Sequence, residues 1–278
     1  MQRTFTSAFS CKGKGLHSGL SSQVHLEPAP TDTGIQLFVN GSALPLSPQS
    51  VSSTTLCTTL QNEAGQGIMT VEHLLAALHG MAIDNCIIHC EGAADIVEIP
   101  ILDGSSQTWV DAFLANGIKE QSAERRFLSV NVPQELNLDD KKVYAKSYAG
   151  LKIEITCSFS VPGMDRMQAG FVITPDCFAN EIAPARTFCM EQDIEDMRQA
   201  GLIKGGGLDC AVVFNDQGQP VNAEGLRFAD EPIRHKLLDV IGDFFIFGQP
   251  VQGHFMIQNP GHGVNNQIMR ALFTLSYS

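Results

Sequence analysis

The chain has 278 residues, 44% hydrophobic and 17% charged, which is enough to bury a core and long enough for one large domain or two of ordinary size. Its formal charge of -12 argues against a duplex nucleic-acid surface, which needs a basic face to displace counterions, but leaves room for a phosphorylated small substrate held by a few local cations. No apolar run reaches the roughly 18 residues of a membrane span, and MQRTFTSAFS lacks the apolar stretch of a signal peptide, so a cytoplasmic protein with no transmembrane segment is expected.

From the N-terminus, QRTFTSAF, SSQVHLEP, GIQLFVN and STTLCTTL read as short strands broken by glycine and proline, with CKGKGLHSGL an early loop. The period then changes. Thr70 is the expected N-cap of VEHLLAALHG, whose apolar face is Val71, Leu74, Leu75 and Leu78, whose stop is Gly80, and whose first turn carries Glu72 and His73. A strand is expected over 83–90. Within it, period 2 puts Cys86 and Cys90 on one face and His89 on the other, which reads as a core strand rather than a zinc knuckle. The eight cysteines are scattered through a chain large enough not to need staples, so reduced thiols are expected.

After the turn-like EIPILDGSS comes a helix over 108–116, stopped at Gly117. The polar, aperiodic KEQSAERR at 119–126 marks a boundary between a first domain, 1–121, and a second, 122–278. FLSVNV, KVYAKSY and LKIEITCSFS alternate as strands of an antiparallel sheet, and a helix is expected over 191–200. A further helix, 232–247, opens after Pro232. At about 100° per residue it puts Ile233, Leu237, Val240, Ile241 and Phe244 on one stripe and His235, Asp239 and Asp243 on the opposite side. The strand GHFMIQ and a last helix from about 264 complete the chain. Each half therefore runs strands, helix, strand, helix, an order duplicated without a residue-level repeat.

HExxH, GxSxG, Walker A and paired CxxC motifs are absent, and the triple glycine 205–207 is only a flexible-loop candidate. What remains is dispersed: Glu72-His73, ARTF, RHKLLD and GHGVNN. A His and an Asp at i, i+4 stand close enough to share a metal ion, but a solvated face with an incidental ion pair explains HxxxD as well. Glu72 alone suits the positive end of its helix, His262 an ordinary loop, Thr187 a turn and Lys236 a solvated charge. If the halves pack by related faces, the first turns of the two helices meet and His73 joins His235 and Asp239. Two histidines and a carboxylate leave the fourth position of Zn²⁺ open, and Fe²⁺ fits the same set. Glu72 can then take a proton from water, His262 can protonate a leaving amine with Asp243 orienting its ring, and Thr187 can donate to the developing oxyanion.

GKGLHSG, LCTTL, TVEHLLAAL, AIDN, EIPILDGSS, ARTF, GLIKGG, LDCAVV, LRFADEPIRHKLLDVIGD and PGHGVNN run nearly end to end, and through them the sequence resembles the zinc-dependent UDP-3-O-acyl-N-acetylglucosamine deacetylases of lipid A biosynthesis. The resemblance implies an α+β fold: two similar halves, each a mostly antiparallel sheet with two helices, the helices sandwiched between the sheets, and a β-α-β insert in the second half. It implies hydrolysis of the N-acetyl amide of an acylated UDP-amino sugar, releasing acetate. His73, His235 and Asp239 match the zinc ligands, Glu72 the base, His262 the acid, Asp243 its orienting aspartate and Thr187 the oxyanion donor. Lys236 matches a lysine that contacts substrate, Phe188 an aromatic beside the sugar nucleotide, and His17 a histidine near the diphosphate. The insert, around 187–213, would line an acyl-chain passage with Ile194, Met197, Leu202, Ile203, Ala211 and Val213, although its helical part reads equally as core packing. The sequence departs from the family's usual pattern at Ser160-Val161-Pro162 and the short GMDRMQ link, at Met190, and in GHGVNN. A non-catalytic sugar-nucleotide binding protein and a zinc amidase for another acetylated sugar are the rival readings, and a monomer is expected.

Overall fold

The structure is a computed structural model and describes residues 1–138, 141–159 and 164–273. Phe9–Lys14, Ser21–Pro28, Cys86–Gly92, Ile35–Val39 and Ser42–Leu44 form one five-stranded sheet in that spatial order. Gln134–Leu138, Lys141–Lys146, Val251–Gln258, Leu151–Cys157 and Met167–Ile173 form the path of a second, to which Leu128–Ser129 adds along Val251–Gln258. The two paths are the same. In each, a central strand (Cys86–Gly92, Val251–Gln258) lies antiparallel to a hairpin on one side and parallel to a hairpin on the other. In each, a helix precedes the central strand (Glu72–Gly80, Glu231–Asp243) and another follows it (Gln107–Asn116, His262–Phe273). The duplicated element order is thus a duplicated α+β topology. Among the described residues no strand pairing joins 1–121 to 122–278; the first half closes on itself where Arg3–Phe5 pairs with Ile118–Glu120.

The helices lie between the sheets. Alternation along Ser21–Pro28 and Leu151–Cys157 turns Val24 and Leu26, and Ile153 and Ile155, into the one continuous core that also holds Leu74, Leu78, Leu237 and Ile241. Each such side chain contributes roughly 1.5–3 kcal/mol by leaving water. The stripe Ile233, Leu237, Val240, Ile241 and Phe244 is fully buried as expected. The opposite side, His235, Asp239 and Asp243, is equally buried, because the helix Glu72–Gly80 covers it, and all nine residues of that helix are buried too. A Cβ on Gly242 would collide with the carbonyl of Glu72, so glycine there sets the closeness of the two helices.

Several local expectations change. Thr70 does not cap its helix; Val71 precedes the first turn with no side-chain cap, while Thr70, at φ 59, donates its hydroxyl to Glu98 Oε1 (2.9 Å). QRTFTSAF splits into Arg3–Phe5 and Phe9–Lys14, so part of the expected early loop is strand. STTLCTTL is not one strand: its first residue ends Val51–Ser53 and its last two begin Thr59–Gln61, with Leu56 at φ 61 in the turn between, and these two join Gly67–Met69 and Ile96–Glu98 in a small additional sheet. The helix expected to run to 247 ends at Asp243. There Phe245 and Ile246 bond back to Gly242 and Asp243 in tighter turns, and the carbonyl of Ile241 is taken by His79 Nδ1 (2.9 Å). The departure at Ser160-Val161-Pro162 lies outside the described residues. No helix among the described residues is long and apolar enough to cross a membrane.

Candidate active site and metal centre

His235 and Asp239 project from successive turns of Glu231–Asp243, and His73 from the first turn of Glu72–Gly80 across the helix contact that Gly242 permits. His235 Nε2 lies 3.5 Å and His73 Nε2 3.9 Å from Asp239 Oδ1, and the three side chains offer donor atoms that all lie within 4.8 Å of one another. The His235 ring donates from Nδ1 to the carbonyl of Ala185 (2.9 Å), which leaves the lone pair on Nε2, the nitrogen that faces Asp239. Burial, helped by the neighbouring His235, pushes His73 down to about 3, and burial lowers His235 as well, so both rings are neutral. Burial alone would raise Asp239, but Lys236 and the surrounding histidines outweigh it and hold the carboxylate well below its usual range. Two neutral imidazoles and an ionised carboxylate converging at this spacing fit a divalent cation.

Beside these donors stand two titratable groups, His262 and Glu72. His262 opens the helix His262–Phe273; its Nδ1 bonds Asp243 Oδ2 (2.9 Å) and its Nε2 lies 3.9 Å from Glu72 Oε1. Burial would lower His262, but the carboxylates of Asp243 and Glu72 prevail and push it up to about 10. Burial raises Glu72 to about 7, with His262 pulling the other way. One group is thus readily deprotonated and the other firmly protonated near neutrality, which is the pairing that acid–base chemistry needs.

A cleft of about 490 Å³ opens over them. Its walls include His17, Glu72, His73, Thr187, Phe188, His235, Lys236, Asp239 and His262, so nine positions singled out in the sequence meet in one cavity. Thr187 is fixed by its own N–H to Gly104 (2.7 Å) and by its carbonyl, which accepts from Val212 (2.8 Å). Lys236 Nζ donates to Asp239 Oδ2 (3.1 Å) and lies 5.9 Å over the ring of Phe188. His17 is buried with neither ring nitrogen bonded to protein, and the amides of His17 and Ser18 are held by Glu98 (2.8 and 2.6 Å). Asp243 lies behind His262, not in the wall.

The insert is a β-α-β unit, Phe188–Met190, Ile194–Gln199 and Val212–Phe214, the strands parallel. Ile194, Met197, Leu202, Ile203 and Ala211 are half-buried and Val213 is buried; none of the six is part of the cleft wall. The insert docks on the early loop, where Lys204 and Gly205 donate to the carbonyls of His17 and Leu16 (3.2 and 3.0 Å). A larger concavity, about 810 Å³, lies on the far side of the second sheet; it contains none of the site residues, and its Lys152 and Glu154 pair with each other (2.6 Å).

Five supporting residues escaped the sequence reading. Thr58 donates its hydroxyl to Asp243 Oδ1 (2.6 Å) and its amide to Glu72 Oε2 (3.0 Å), and Asn265 donates to Asp243 Oδ2 (2.8 Å). Arg186 and Glu231 form a buried pair (2.9 Å) between ARTF and the start of the second central helix. Glu98 offered a signal, a lone carboxylate inside the apolar run IVEIPIL, whereas Thr58 offered none beyond its place in LCTTL.

The sequence profile of the UDP-3-O-acyl N-acetylglycosamine deacetylase family matches residues 2–274. Among similar curated proteins, one from Oleidesulfovibrio alaskensis is 41% identical over 275 residues, 98% of this chain and 88% of its own length. Others from Haemophilus influenzae strain PittEE (40%) and Shewanella oneidensis (38%) align over 277 residues, 98% of this chain and 89% of theirs. All three bear the name UDP-3-O-acyl-N-acetylglucosamine deacetylase.

Proposed function

The chain belongs to the UDP-3-O-acyl N-acetylglycosamine deacetylase family, and from that membership we propose that it hydrolyses the N-acetyl amide of a UDP-3-O-acyl-N-acetylglucosamine to acetate and the free amine, the committed step of lipid A biosynthesis. The observation that carries the reading is the Glu72–His262 pair, 3.9 Å apart, beside the three converging donors. His73, His235 and Asp239 would hold the cation, Zn²⁺ on this reading, with Fe²⁺ the other ion the set accepts. When bound, it supplies Lewis acidity, acidifying water and polarising the amide carbonyl.

Glu72 Oε1 takes the proton of the attacking water. His262 Nε2 then delivers a proton to the amide nitrogen, so the amine leaves neutral and the carbonyl carbon departs as acetate. Asp243 keeps His262 charged and aimed, and the hydroxyl of Thr187 donates to the oxygen that becomes anionic in between. Lys236 and Phe188 seat the sugar nucleotide, His17 lies near its diphosphate, and Ile194, Met197, Leu202, Ile203, Ala211 and Val213 face the acyl chain. We read the chain as two units, 1–121 and 122–278, each giving part of the site, and as a monomer working in the cytoplasm.

The test is product analysis. The metal-loaded protein is incubated with the acylated sugar nucleotide, and free acetate and amine are measured before and after chelation. Product that persists after all metal is removed rejects the cation; no product with Zn²⁺ or Fe²⁺ leaves a sugar-nucleotide binder. A panel of other acetylated sugars separates this activity from a broader amidase.

A further inference from the structure

Asp243 and Glu72 come from different halves of the chain, yet one residue touches both. The hydroxyl of Thr58 donates to Asp243 Oδ1 at 2.6 Å, across 185 positions of sequence, and its backbone N–H donates to Glu72 Oε2 at 3.0 Å. In each carboxylate the oxygen so held is the one turned away from His262. Asp243 Oδ2 is left for His262 Nδ1 and Asn265, and Glu72 Oε1 is left facing His262 Nε2. Thr58 is 2% exposed and forms no part of the cleft wall, so it meets neither substrate nor cation directly.

On the proposed deacetylase reading, we infer that Thr58 is a positioning residue: it sets the general base of the first half in register with the Asp243–His262 pair of the second. A buried carboxylate held at only one oxygen can rotate about its Cβ–Cγ bond and exchange oxygens between donors. A short, charge-assisted O–H···O bond at the second oxygen stops that rotation. The imidazole then keeps the direction that puts its Nε2 opposite Glu72. Reacting groups displaced by as little as an ångström lose much of their rate advantage, so the bond acts on the chemical step and not on substrate affinity.

The experiment compares Thr58→Val, which keeps the shape and removes the donor, with Thr58→Ser, which keeps the donor, in the metal-loaded full-length enzyme. Thr59→Val is the control, since Thr59 is buried beside it and its hydroxyl approaches, among the described residues, Cys57 Sγ (3.9 Å) and neither Asp243 nor Glu72. Thr58→Val lowers kcat by about 10- to 100-fold with KM nearly unchanged, a share of the roughly 10²–10⁴ that positioned acid–base groups contribute. Thr58→Ser recovers most of the loss and Thr59→Val keeps the parent kcat. In an Asp243→Asn background, Thr58→Val adds little, because the group it positions is already altered. The inference falls if Thr58→Val stays within twofold of the parent, if Thr58→Ser is no better, or if the loss multiplies fully onto Asp243→Asn. Should Thr58→Val not fold, Thr58→Ala against Thr58→Ser makes the same comparison. A parent protein that releases no acetate sinks the deacetylase reading itself, and this inference with it; a parent that turns over while Thr58→Val does too sinks the inference alone.

Discussion

His79 sits where the two central helices meet the second sheet, and it makes an acid-sensitive joint. Its Nδ1–H donates to the carbonyl of Ile241 (2.9 Å), its Nε2 accepts from the N–H of Val251 (3.2 Å), and its ring stacks on Phe245 at 4.9 Å. Accepting at Nε2 requires the neutral ring. Burial accordingly pushes the group down to about 4, against the favourable bond to Ile241, with Arg125 adding to the fall. A folded-state value below the unfolded one means that the unfolded chain binds more protons between the two. The stabilisation is therefore complete above about 6.5 and is lost as pH falls towards about 4. The gap of roughly two and a half units corresponds to about 3 kcal/mol, a large share of the 5–15 kcal/mol by which domains are stable. The assay is urea unfolding of the parent and of His79→Phe from pH 7 to pH 4, with chelator present in both. Other acid-sensitive groups are common to the two proteins and cancel in the difference. The parent's advantage shrinks by about 3 kcal/mol across that range; parallel stability curves for the two proteins would refute the assignment.

Further outcomes follow from the site. The rate kcat/KM is bell-shaped in pH: the acid limb belongs to Glu72, below its value of about 7, and the alkaline limb to His262, below its value of about 10, because a bound cation favours the carboxylate and disfavours the charged imidazole. His262→Asn lowers kcat by about 10²–10⁴ and removes the alkaline limb; a limb that survives with parent kcat shows another acid at work. Glu231→Gln removes the charge that the buried Arg186 holds at 2.9 and 3.2 Å and leaves it with the exposed Glu224 and the carbonyl of Gly225. Its cost is about 3–5 kcal/mol in urea unfolding, and a loss under about 1 kcal/mol would mean that the pair is easily replaced. If Ala211 faces the acyl chain, Ala211→Phe shortens the preferred chain, with kcat/KM falling about 4-fold for each methylene left in water, from about 0.8 kcal/mol per CH₂. An unchanged profile across an acyl-length series removes Ala211 from the lining.

The convergence of His73, His235 and Asp239 was legible because helix period alone puts His235 and Asp239 on one side, and because duplicated element order suggested which helix would face them. From the helix alone that side reads equally as a solvated face, and only the other motifs of the chain turn it into a site. Periodicity reports that residues share a face, but not what covers it, and here the cover is the helix Glu72–Gly80. The five apolar positions from Ile233 to Phe244 were legible for the same reason and needed no tertiary knowledge. Boundaries failed where tertiary bonds override local signals. Thr70 has the chemistry of an N-cap, but the buried Glu98 takes its hydroxyl, and the helix end at Asp243 depends on His79 reaching Ile241. Thr58 was illegible because its bonds to Glu72 and Asp243 leave an irregular segment for partners 14 and 185 positions away, with no period to announce them.

The duplicated topology also explains why the site is asymmetric. Two copies of one path would place equivalent helices face to face, and equivalent helices alone would offer equivalent side chains. Here the second helix carries two donors and Asp243, while the first carries one donor and Glu72 at its opening turn. The offset follows from the glycine contact: the carbonyl of Glu72 rests on Gly242, near the end of the second helix, so the first turn of one helix lies along the later turns of the other. That offset sets Glu72 beside Asp243 and His262 rather than beside His235, and it leaves His73 within reach of His235 and Asp239. Packing in register, first turn against first turn, would bring the histidines together but carry Glu72 away from His262. The separation of the His73, His235 and Asp239 group from the Glu72–His262 pair is therefore a consequence of how closely, and at which turn, the two halves touch.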